Sequence, residues 1–174
     1  ARTANRPLVT GVVTPRAALT FALAIEAAAI VLLWRAVNPL SALIAFAAFA
    51  FYVGVYTVWL KGRYTSNIVI GGAAGAAPVL IGWAAVTSGL GWAPWLLFAL
   101  IFFWTPPHFW ALAVKYRDDY ASANVPMLPS VATLAATARK ILNYTLILVA
   151  TSLLIAPVAD LGWVYLVAAL VSGG

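Results

Sequence analysis

Residues 93–114 read APWLLFALIFFWTPPHFWALAV. The stretch carries no charge and is long enough to cross the apolar core of a bilayer, which takes about 20 helical residues. A helix satisfies its own backbone polar groups, as lipid demands, whereas an open sheet does not. Five further apolar runs flank it, at about 17–34, 40–60, 68–87, 141–157 and 161–172, the last one short. The strict alternation that a membrane β-barrel needs is absent from them. The expected fold is therefore an all-α membrane protein, a multi-span transmembrane helical bundle of about six spans.

Composition points the same way. Of 174 residues, 65% are hydrophobic and 8% are charged, and the mean hydropathy is +1.01. A soluble domain carries roughly 25% charged residues. So little polar surface cannot cover a soluble globule, and disorder needs the opposite balance. The absence of cysteine excludes disulfides, thiolate metal sites and a cysteine nucleophile. The net charge of +6 would suggest nucleic acid in a soluble protein. In a membrane protein the better reading is topogenic, with the lipid bilayer and no nucleic acid as partner.

The loops sort by charge. The side holding residues 1–16 also holds loops 61–67 and 115–140. It carries Arg2, Arg6, Arg16, Lys61, Arg63, Lys115, Arg117, Arg139 and Lys140, against Arg35 alone opposite. By the positive-inside rule the basic side is cytoplasmic, and the expected location is the cell (inner) membrane. A miscounted span would destroy this asymmetry. Only Glu26 lies deep in a run, so a transporter, which places ionisable groups along its path, is disfavoured. Glu26 is either a buried neutral acid with a hydrogen-bond partner or a lipid-facing exception, and the former is expected.

Four features carry candidate chemistry. The third run holds Gly71, Gly72, Ala73, Ala74, Gly75, Ala76 and Ala77. Such residues let helices pack tightly, or leave room for a long apolar ligand; Pro78 is expected to kink the helix after them. In the fourth run Pro106 and Pro107 remove two N–H donors and are expected to break or bend the span, next to His108. That histidine is either a packing residue or a ligand or base. Were the helix to run on to Asp119, His108, Lys115 and Asp119 would share a face within about 20°. Loop 61–67 offers Lys61, Arg63, Tyr64, Thr65, Ser66 and Asn67, either merely topogenic or able to hold phosphate by charge-assisted hydrogen bonds. Asp118 and Asp119 are the only adjacent carboxylates. They suit Mg²⁺ bridging a diphosphate, or form a surface charge cluster. No Walker-type loop is present, which disfavours nucleotide hydrolysis.

The stretches 56–89 (YTVWLKGRYTSNIVIGGAAGAAPVLIGWAAVTSG), 102–120 (FFWTPPHFWALAVKYRDDY), 125–132 (VPMLPSVA) and 2–15 (RTANRPLVTGVVTP) closely resemble the haem branch of the UbiA-type intramembrane prenyltransferases. The resemblance runs from residue 2 to about 145 and is specific, because the motifs are long and in order. It implies one transmembrane prenyltransferase domain, part of a nine-helix bundle around a central cavity. It further implies transfer of the farnesyl group of farnesyl diphosphate to a vinyl group of haem B, with Mg²⁺ as cofactor and a downstream haem A synthase using the product. On this reading Asp118 and Asp119 hold the metal. Lys61, Arg63, Lys115 and Asn67 bind diphosphate, and His108 acts on the haem side. Phe102, Phe103, Trp104 and Trp110 line the cavity and stabilise an allylic cation. The family's first acidic motif would fall just before Arg2-Thr3. Residues 1–174 are thus expected to be the middle of a longer chain, inactive if they were all of it. Asn124 stands where the family usually has Gly, and Ala77-Pro78 replaces Pro-Pro. A quinone- or chlorophyll-type prenyltransferase is the near alternative.

Overall fold

The computed structural model describes residues 5–173; Arg2 and Thr3 lie outside them. Helix α1 runs over Pro15–Leu32 and continues as a π-helical turn over Leu33–Val37. Helix α2 runs over Pro39–Ala50 and is π-helical from Phe51 to Leu60. Then come α3 (Asn67–Thr87), α4 (Trp92–Lys115), the short α5 (Arg117–Ser122) and α6 (Leu128–Val131), α7 (Leu134–Val158) and α8 (Trp163–Gly173). Among the described residues five helices are long and apolar enough to cross a membrane, and α8 is a shorter apolar helix. The chain is an all-α, multi-pass membrane protein. Large apolar side chains such as Phe21, Leu43, Leu146 and Val167 are exposed, as expected where the neighbour is lipid.

The helix starts follow local chemistry. Thr14 Oγ1 accepts from Ala17 N at 3.2 Å with Pro15 in the first turn, and Thr133 Oγ1 accepts from Ala136 N at 3.2 Å. Asn38 Oδ1 accepts from Ser41 N at 2.8 Å, with Pro39 at the first helical position. Proline loses nothing there, since that N–H has no intrahelical partner. Asn38 also reaches across the bundle: its Nδ2 donates to Ala84 O at 2.7 Å, and Ser41 Oγ donates to Ile81 O at 3.3 Å. The start of α2 is thereby pinned to the far end of α3, which closes on Ser88 in the left-handed region (φ 54).

Helix α4 packs between α3 and α7, and α2 packs on α3. Small residues make the seams: Ala42, Gly72, Ala76, Ala84 and Ala113 are buried. A Cβ on Gly72 would stand 3.2 Å from Thr105 Cβ and 3.5 Å from Phe102 O. On Gly71 it would collide with the Tyr56 ring, while Gly75 faces open space. Of the two readings of the small-residue run, tight packing therefore holds at Gly71 and Gly72, and space remains at Gly75.

Four expectations are corrected. The double proline does not break the span: α4 is continuous through Pro106 and Pro107, both buried. Helix α4 ends at Lys115, where Tyr116 (φ −108, ψ 26) leaves helical geometry. The shared face of His108, Lys115 and Asp119 therefore stops at Lys115, because α5 starts afresh. Segment 115–140 is not a plain loop, since it contains α5, α6 and the first turns of α7, which begins at Leu134 rather than near 141 and carries Arg139 and Lys140. Glu26 is only half-buried, α1 has no buried residue, and no hydrogen bond joins Glu26 to another described residue.

Candidate active site

Alternation of the spans puts the start of α3, the end of α4 and the start of α7 on one side, the basic side. Helices α5 and α6 fold back over these ends. Ile68, Ala113 and Met127 form a small core there, with Tyr120 and Val125 packed against it. This core seats the Asp118–Asp119 helix beside the start of α3, directly after loop 61–67. The sharp return needs Asn124 at φ 53. Asparagine tolerates the left-handed region far better than most residues, so it can stand where the family usually has glycine.

Lys61, Arg63, Lys115, Asp118 and Asp119 are all exposed. Lys115 Nζ lies 5.7 Å from the Tyr116 ring centroid. Among the described residues no ion pair within 4.0 Å joins these cations to the carboxylates, so both remain open to a ligand. Asp118 and Asp119 occupy the first turn of α5, where the helix dipole favours negative charge. Asn67 is placed differently from the other diphosphate candidates. It is buried at the start of α3, and its Nδ2 donates to Tyr64 O at 2.6 Å. It fastens the end of the loop.

Mg²⁺ takes one or two carboxylates and completes its shell with water and phosphate oxygens. The adjacent Asp118 and Asp119 fit that need. Among the described residues no group of three or more His, Asp or Glu forms a closed metal cage; on the expectation above, the remaining ligands would come from phosphate, water and the acidic motif expected before Arg2.

The faces of α4 divide the other candidates. Trp104, His108 and Lys115 lie within about 40° of one another around the helix, while Trp110 is about 160° from His108. The His108 ring stacks on Trp104 (centroids 4.3 Å, interplanar 18°) and meets the edge of Phe109 at 5.4 Å. Trp104 lines a cleft of about 520 Å³ with Leu100 and Ile101 of α4, Leu148 and Ser152 of α7, and Tyr165 of α8. The cleft is mostly apolar; its polar groups include Ser172 and the Ser152–Tyr165 pair, 2.9 Å between hydroxyls. Phe102 and Phe103 are half-buried and form an aromatic column instead: Phe98 to Phe102 at 6.2 Å, Phe102 to Phe103 at 5.3 Å, and Phe103 to Tyr144 at 6.4 Å. Trp110, buried, meets Tyr144 edge-on at 5.4 Å and lines a second cavity of about 390 Å³.

Sequence reasoning passed over Tyr144, Ser152 and Tyr165, whose tertiary partners have no local signature. Asn38 was also passed over, although Asn-Pro before an apolar run is a recognisable helix start.

Adjacent carboxylates and cations at one end of an all-α membrane bundle, with an apolar cleft between its helices, are the arrangement expected of the intramembrane prenyltransferase class. The UbiA prenyltransferase family matches residues 1–174, and the chain belongs to that family. It is 60% identical over 172 residues to a protein named protoheme IX farnesyltransferase from Frankia casuarinae, covering 99% of this chain and 60% of that protein. Proteins of the same name from a Parafrankia species (58% identity, 99% of this chain, 55% of the relative) and Gloeobacter violaceus (53% identity, 97% and 55%) are also similar. The chain thus spans 55–60% of the length of these relatives. No solved structure matches it.

Proposed function

We propose that the protein to which this chain belongs transfers the farnesyl group of farnesyl diphosphate to a vinyl group of haem B, giving haem O. The observation that carries the reading is the single face of α4. It runs from Lys115 at the basic end, through His108 stacked on Trp104, to the apolar cleft. A diphosphate with an isoprenoid tail has the same order of chemistry along its length. The names of the relatives support the same substrates.

In the reaction, the C1–O bond of farnesyl diphosphate breaks and its electron pair leaves with diphosphate. The vinyl group bonds to C1, water adds to the resulting cation, and one proton is lost. Lys61, Arg63 and Lys115 would meet the charge that builds on the leaving group, where such stabilisation acts most strongly. Asp118 and Asp119 would hold Mg²⁺, which when bound neutralises diphosphate charge. Trp104 offers an electron-rich face to an allylic cation, and the cleft keeps water from it. His108 would act on the haem side, orienting water or meeting the iron. The basic side faces the cytoplasm of the cell membrane by the positive-inside rule, and a haem A synthase would consume the product.

The test is product analysis. Full-length protein in nanodiscs, given haem B, an aromatic quinone precursor, farnesyl diphosphate and Mg²⁺, should yield haem O by mass spectrometry. A prenylated quinone precursor, with no haem O, would establish the quinone-type alternative instead.

A further inference from the structure

The second cavity lies on the face of α4 opposite His108. It is lined by Thr65, Ser66 and Val69 around the start of α3, Trp110 of α4, Leu128 of α6, and Lys140, Asn143 and Tyr144 of α7. Among the described residues no acidic side chain lines it. Each of its polar groups has a hydrogen to donate, and one of them is a cation. Trp110 is 2% exposed, and its indole N–H has no hydrogen-bond partner among the described residues. A buried indole N–H normally finds one, so this cavity has a donor set aside without an acceptor.

Depth narrows the occupant. Trp110 stands five residues before the end of α4, and Lys140 six residues into α7. Both are about 7–9 Å below the helix ends, at the level where a bilayer turns from headgroup to hydrocarbon. Charge narrows it further. A diphosphate carries several negative charges and calls for several cations, whereas one lysine among neutral donors balances a single negative charge. A carboxylate has that charge, and its two oxygens can accept several such hydrogen bonds.

We infer that this cavity is a carboxylate subsite, in which Lys140, the Trp110 indole N–H and Asn143 hold one propionate of the porphyrin acceptor. The inference rests on the haem reading above and deepens it. The subsite orients the disc: fixing the carboxylate edge at the interface presents the opposite, vinyl-bearing edge below it. Lys140 and Asn143 are positioning residues that never touch the reacting carbons.

The experiment compares haem B with its dimethyl ester, which keeps the macrocycle and lacks the charges. Full-length protein in nanodiscs is titrated with each and followed by the Soret band. The variants are Trp110→Phe, which keeps a ring against Tyr144, and Lys140→Met, which keeps the stem. Each should weaken haem B by about tenfold, the scale of one charge-assisted hydrogen bond. Neither should alter binding of the ester or inhibition by inorganic pyrophosphate. Haem B affinity that ignores both substitutions overturns the subsite and leaves the haem reading standing. Weakened pyrophosphate inhibition with unchanged haem B affinity also overturns it, by making the cavity a phosphate site. If wild-type protein binds no haem B, the acceptor reading falls and the subsite with it. Should Trp110→Phe fail to fold, Lys140→Met decides alone.

Discussion

Three glycines on α3 should respond to the same substitution in three different ways. Replacing a mid-helix glycine by alanine gains about 1 kcal/mol of helix propensity wherever the new methyl fits. At Gly75 nothing lies within 4 Å of the added Cβ, so Gly75→Ala should stabilise by about that amount. At Gly72 the methyl meets Thr105 Cβ at 3.2 Å and Cγ2 at 3.3 Å. Thr105 cannot turn away freely, because its Oγ1 donates to Ile101 O at 2.8 Å. Overpacking costs about 1–3 kcal/mol. The low end applies here and roughly cancels the propensity gain, so Gly72→Ala should lie between neutral and about 1 kcal/mol destabilising. At Gly71 the Cβ would enter the body of the Tyr56 ring, which is itself stacked on Tyr52 with centroids 5.3 Å apart. The high end applies, leaving about 2 kcal/mol of net destabilisation. The assay is equilibrium unfolding of full-length protein in mixed micelles. The double variant Gly71→Ala/Tyr56→Ala should show a coupling of at least about 1 kcal/mol, as expected for residues in contact. The reasoning is refuted if Gly75→Ala costs as much as Gly71→Ala, or if that coupling is absent.

Lys61→Ala and Arg63→Ala should each raise the KM for farnesyl diphosphate or lower kcat; wild-type kinetics in both would remove them from the site. Asp118→Asn and Asp119→Asn should raise the Mg²⁺ concentration needed for half-maximal turnover, and an unchanged Mg²⁺ titration would return both carboxylates to a purely local role in α5. His108→Ala should lower turnover with haem B, and unchanged haem binding together with unchanged turnover would exclude it from the reaction. At the left-handed position 124, Asn124→Gly should leave stability unchanged and Asn124→Val should cost about 1–2 kcal/mol, read in the same unfolding assay; equal tolerance of both would contradict the positive φ.

The spans could be read from the sequence because lipid imposes a length and an absence of charge that nothing else in the chain imitates. Their order was legible because nine of the ten cations fall on one side. What could not be read was how the basic segments fold. Segment 115–140 looked like a loop by composition, yet Met127, Leu128 and Pro129 are buried, Met127 against Ile68 of α3 and Ala113 of α4. That packing builds α5 and α6, and it is tertiary. The rotation of α5 relative to α4 was likewise illegible, since one non-helical residue, Tyr116, cancels any angle counted from His108. His108, Trp104 and Lys115 survive as a set because they lie within one uninterrupted helix, where periodicity is reliable. Trp110 was grouped with Trp104 by residue type alone, and helical geometry separates them.

One of the two carbonyls that the prolines leave without a helical partner meets α3. Pro106 and Pro107 offer no N–H to the carbonyls of Phe102 and Phe103 four residues earlier. In hydrocarbon an unsatisfied carbonyl costs several kcal/mol, which is the argument for a broken span. Here, however, Phe102 O faces the bare side of Gly72, close enough that an added Cβ would stand 3.5 Å from it. The Phe102 carbonyl is covered by the backbone of a neighbouring helix rather than by lipid, and the missing side chain at Gly72 eases that approach. The prolines and the small-residue run, two separate puzzles along the chain, are two halves of one contact. That contact sets the angle at which α4 presents His108 to one side and Trp110 to the other. A larger residue at 72 should therefore disturb the site through the orientation of α4, before it unfolds anything.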